Sequence, residues 1–68
     1  MTKLGKKIKK RLIDLGKTQR LLAETLGVDP RYISKIVRGK VGPGKYIGAL
    51  ARELQIPEEE LQRLLSDD

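Results

Sequence analysis

Apolar residues recur along this chain at steps of three and four, and Gly, Pro and capping residues cut the recurrence into five helical segments. Leu4, Ile8, Leu12 and Leu15 form the core stripe of a first helix, over residues 2 or 3 to 15, and Gly16 ends it. Thr18 is a fitting N-cap for a second helix over 19–26, with Leu22, Ala23 and Leu26 inward and Gly27 at the turn that follows. A third helix over 30–37 has Asp29 as its cap and Pro30 at its first position, where a missing N–H costs nothing. Ile33, Ile36 and Val37 are its inner face; Arg31, Tyr32, Ser34, Lys35 and Arg38 are left outside, and Gly39 closes it. Beyond the breaker at 40–44, a fourth helix over 45–54 buries Tyr46 or Ile47, Leu50, Ala51 and Leu54. Gly48 inside it costs about 1 kcal/mol relative to Ala. The fifth helix begins near Pro57, with Glu58, Glu59 and Glu60 complementing its dipole and Leu61, Leu64 and Leu65 as its apolar side. Ser66, Asp67 and Asp68 are expected to fray.

Composition narrows what such an all-α chain can be. Its 68 residues make one domain, 1–68, with no linker or repeat. There is no Cys to staple it, and no His to act as a general base or metal ligand. Ser34 and Ser66 lack a base, and the acidic residues of the fifth helix lack a second cluster to share a metal. No catalytic site, cofactor or small-molecule ligand is expected, and the chain does not read as an enzyme. No apolar run approaches the roughly 18 residues of a membrane span, and lysines interrupt any signal core, so a soluble cytoplasmic protein is expected.

Charge then points to a partner. Residues 1–45 carry a net +10 and residues 46–68 a net −4. A basic front and an acidic back suit a polyanion met from one side. Charge alone leaves DNA, RNA and anionic membrane open. The two tyrosines, the only aromatics, are too few for single-strand binding by base stacking.

The stretch TQRLLAETLGVDPRYISKIVRG, residues 18–39, decides among these. Ala23 is small where two helices must cross, Gly27 stands at the turn, and Leu22, Leu26, Val28, Ile33 and Ile36 are apolar. This is the pattern of a helix-turn-helix formed by the second and third helices. It resembles the lambdoid repressor/Cro family, the Xre-type regulators. The likeness extends to Leu4-Gly5 and Ile8, Thr18-Gln19, Arg38-Gly39-Lys40, Pro43 and the final Leu-rich turn.

The resemblance implies a five-helix, lambda-repressor-like fold and a sequence-specific regulator of transcription whose partner is double-stranded DNA. In the family, the start of the helix-turn-helix's second helix reads base edges, which here means Pro30, Arg31, Tyr32, Ser34 and Lys35. Arg31 is the strongest reader, because its planar fork can donate twice to guanine. Lys35, one turn on, reaches a guanine or a phosphate. Pro30 stands where relatives often place a Gln and cannot make that residue's adenine contact. Tyr32 either contacts DNA or packs against the second helix. Thr18, Gln19, Arg38, Lys40 and Lys45 are the expected phosphate contacts. The stripe of Lys3, Lys6, Lys7 and Lys10 on the first helix is either a further contact or a solvated face.

Relatives often carry an Arg–Glu pair where this chain has Leu12 and Val37. Both charges are replaced together, so Leu12 and Val37 are expected to meet in the core. A Cro-like repressor acting as a homodimer on a pseudo-palindromic operator is the leading reading. Ile56, Leu61, Leu64 and Leu65 are its candidate dimer residues, unless these side chains only close the core. The alternative is a protein-interaction module, such as an antitoxin or recombination accessory factor, with DNA binding secondary.

Overall fold

Side-chain caps fix where the first three helices begin. Thr2 Oγ1 accepts from the Gly5 N–H at 2.9 Å, Thr18 Oγ1 from that of Leu21 at 3.0 Å, and an Asp29 oxygen from that of Arg31 at 2.8 Å. Each satisfies a first-turn donor that the helix itself cannot. The computed structural model describes residues 2–67, and its helices are α1 (Lys3–Leu15), α2 (Gln19–Leu26), α3 (Pro30–Val37), α4 (Ile47–Leu54) and α5 (Glu58–Asp67). The described residues contain no strand. Thr2 caps α1 rather than opening it.

Two boundaries depart from the periodicity. Gly44–Tyr46 is a 3₁₀ turn, closed by Tyr46 N–H donating to the Pro43 carbonyl at 3.0 Å, so α4 starts at Ile47 rather than at 45. No side chain caps α4, and the tighter turn takes that place. At the other end, Ser66 and Asp67 remain helical, with Ser66 Oγ donating to the Gln62 carbonyl at 3.1 Å; Asp68 lies outside the described residues.

The core draws on every helix. Leu4, Ile8 and Leu12 of α1 are buried with Leu22, Ala23, Ile33, Ile36, Val37, Leu50, Ala51 and Leu54. Ala23 has no exposed surface, as a close α2–α3 crossing requires. Leu12 and Val37 are both in this cluster, at 4% and 3% exposure. Leu15 is only half-buried, whereas Pro43, which periodicity alone does not assign to the core, is fully buried. Ile56 and Leu61 also belong to the core, at 9% and 0% exposure, which removes them from any outer dimer surface. Leu64 packs partly against the core, and Leu65 is 39% exposed.

Several basic residues of the first half turn inward to the acidic second half. Lys7 pairs with Glu60 at 3.0 Å, and Lys17 reaches both the Glu53 carboxylate at 3.7 Å and its carbonyl at 3.4 Å. Arg11 Nε donates to the Leu54 carbonyl at 3.0 Å, satisfying an orphan acceptor at the end of α4. The lysine stripe of α1 is therefore divided: Lys7 braces α5, while Lys6 and Lys10 stay exposed.

Candidate nucleic-acid interface

The outer side of α3 is set by its inner one. Ile33, Ile36 and Val37 are buried, so Arg31, Lys35 and Arg38, spaced by four and three, form an exposed basic stripe. The one acidic side chain between Glu24 and Glu53 in the sequence is Asp29, at the start of that stripe. The turn before α3 depends on Gly27, whose φ of 73° is left-handed, a conformation glycine adopts without Cβ strain. Its N–H donates to Glu24 and that of Val28 to Ala23, closing α2 and aiming the chain into α3.

Arg31 is 88% exposed at the side chain and is engaged by Asp29. Its Nε and Nη2 donate to the two carboxylate oxygens of Asp29 at 3.2 and 2.9 Å. The side-chain bond from Arg31, then the one from its backbone N–H, hold the Asp29 carboxyl at about 2, against an ordinary 3.8. The same bond raises the Arg31 guanidinium above its ordinary value. Pro30 and Lys35 are exposed, and Ser34 is half-buried with its carbonyl accepting from Arg38 Nε at 3.4 Å.

Tyr32 faces the loop that follows α3. Its ring meets that of Tyr46 edge-on, with centroids 5.7 Å apart and planes at 66°, and its hydroxyl donates to the Gly42 carbonyl at 3.4 Å. It thereby braces the segment that carries Lys40 and Lys45. Lys40 and Lys45 are exposed, and Lys45 Nζ lies 5.4 Å from the Tyr46 ring centroid. At the start of α2, Thr18 is exposed with its hydroxyl engaged in the cap, and Gln19 is half-buried. That cap leaves the amides of Gln19 and Arg20 without an intrahelical acceptor.

A family model described as helix-turn-helix matches residues 8–61. No curated protein and no solved structure matches the chain. The chain belongs to the Xre/Cro/C1-type helix-turn-helix family. The match spans the core from Ile8 to Leu61 and includes α2, the Gly27 turn and α3 whole. A helix-turn-helix places its second helix in the major groove, and in this one that helix is α3. A helix-turn-helix of this type is a DNA-binding regulator of transcription, with double-stranded DNA as its partner. Among the described residues no helix is long and apolar enough to cross a membrane.

Two residues of this helix-turn-helix escaped the sequence reading. Arg20, exposed in the first turn of α2, stands beside the free amides and was signalled only by its place next to Gln19. Asp29 was legible as a cap, but its grip on the Arg31 side chain was not. An acid two residues before an Arg at a helix start is the one cue to it.

Proposed function

We propose that the protein is a Cro-like repressor that binds as a symmetric dimer to a pseudo-palindromic operator and blocks a promoter by occupying it. Arg31 and Lys35 read bases, with Ser34 and Pro30 in contact range at the same helix end. Arg38, Lys40 and Lys45 hold phosphates from one flank, and Thr18, Gln19 and Arg20 from the other. The observation that carries this reading is the exposed basic stripe of Arg31, Lys35 and Arg38 along α3 and its C-terminal cap. Base contacts specify and phosphate contacts position, so both classes are needed on one surface. Tyr32 serves by holding the Lys40–Lys45 loop rather than by reading bases.

For the dimer, Leu65 and the exposed part of Leu64 are the remaining apolar surface of α5. Leu65 borders a hollow of about 240 Å³ with Val41, Thr2 and Leu4, and Val41 is itself 38% exposed. The test is selection of bound sites from a random duplex pool at about 150 mM salt, where nonspecific attraction is weakened. Two inverted half-sites about one helical turn apart are expected. A flat motif overturns the reading.

A further inference from the structure

A carboxylate beside a base-reading arginine removes positive charge where the partner is a polyanion. Asp29 is the only acidic side chain between Glu24 and Glu53. Capping alone does not require it, since Ser, Thr or Asn caps as well, and Thr caps both α1 and α2. What the carboxylate adds is its hold on Arg31.

The guanidinium has five N–H donors in one plane. Asp29 takes one from Nε and one from Nη2. Three remain: both on Nη1 and the second on Nη2. The Nη1–Nη2 edge is thus still a two-pronged fork, the shape that meets guanine O6 and N7. Asp29 is itself anchored, because Oδ1 also accepts from the Arg31 backbone N–H at 2.8 Å. The chain of bonds runs from the helix start to the carboxylate, and from the carboxylate to one edge of the guanidinium. An exposed side chain is thereby pre-set before DNA arrives, which lowers the ordering cost of binding.

We propose that Asp29 is a specificity-determining residue that presents the free edge of Arg31 to guanine and keeps its Nε edge from phosphate. The proposal rests on the reading of Arg31 as a base reader. To reach a backbone phosphate by its Nε edge, Arg31 must give up both bonds to Asp29, and the carboxylate repels a phosphate drawn close to it. Guanine presents acceptors to the other edge and requires neither. Asp29 touches no base in this scheme; it acts through Arg31.

Asp29→Asn and Asp29→Ser separate the two roles, since both keep a cap and lack the carboxylate. Site selection and binding titrations would compare wild type, D29N, D29S, R31A and the D29N/R31A double variant, on the selected site and on unrelated duplex. D29N and D29S are expected to reduce preference for one guanine per half-site by about tenfold. Both should also bind unrelated duplex more tightly than wild type does. R31A should lose the same guanine, and D29N should change nothing further in the R31A background. A guanine preference that needs Arg31 but is unchanged in D29N and D29S overturns the proposal and leaves the regulator reading standing. A motif that R31A does not alter overturns it too. A flat wild-type motif overturns the regulator reading and the proposal with it.

Discussion

Asp29 Oδ1 accepts from both the backbone N–H and the Nε of Arg31, and that double use has a measurable titration. Its carboxyl sits at about 2 in the folded chain against an ordinary 3.8. Because the folded value is depressed, the pair's contribution to stability is complete above 3.8 and is lost as pH falls through about 2. An NMR titration of the Asp29 side-chain carbon should give a midpoint near 2, and Arg31→Ala should move it up toward 3.8. A midpoint unmoved in that variant would show that the arginine is not the cause. At this scale the sequence was legible where a role is local. The caps at Thr18 and Asp29 follow from their positions next to apolar runs. Tyr32 was left between two readings, because its partner Tyr46 lies on another element and no local pattern encodes the contact.

Element ends were legible wherever a side chain or glycine defines them, and illegible where tertiary contacts do. The 3₁₀ entry to α4 has no cap to announce it. Gly27 and Gly39 both end helices with left-handed φ, at 73° and 79°. Their surroundings differ: a Cβ at Gly27 meets no atom of the described residues within 4 Å, whereas one at Gly39 runs into the Thr2 methyl group, and Thr2 is itself committed to capping α1. Gly27→Ala should cost about 1 kcal/mol from backbone strain, and Gly39→Ala more than that, in urea unfolding at equal m-value. Equal losses would deny the Thr2 contact a part. Between elements, Leu12 and Val37 share a core in which, among the described residues, no polar or charged side chain is buried. Val37→Glu leaves a buried charge without a partner and should cost about 3–5 kcal/mol. A thermal midpoint unchanged from wild type would contradict that placement. The helices from the periodic pattern and the fold from its likeness to the family both stood. Ile56 and Leu61 did not stand as dimer residues, because an amphipathic stripe does not say whether its cover is another helix of the same chain.

On the scale of the whole molecule, the division of charge along the chain is not a division of roles. Lys7, Arg11 and Lys17 serve the basic half as internal ties to α4 and α5, while Arg31, Lys35, Arg38, Lys40 and Lys45 are displayed outward. Net charge therefore overstates the number of phosphates the protein can neutralise. Arg38→Ala should weaken binding to all duplexes alike and reduce the slope of log affinity against log salt by about 1. Lys17→Ala should leave that slope as it is, since its charge is already engaged with Glu53. A common loss of slope in both variants would mean that Lys17 leaves Glu53 to join the DNA surface.

The edge-on tyrosines have one more consequence. With no Trp or Phe in the sequence, Tyr32 and Tyr46 hold all of the chain's aromatic absorption. They stand in a single pair at the base of the loop that carries Lys40 and Lys45. The protein thus contains its own optical probe, seated at the junction of α3 and that loop and at no other place. The DNA bases absorb in the same range but barely emit, so tyrosine emission, corrected for their absorption, follows that junction alone and reads its response to DNA without an attached dye.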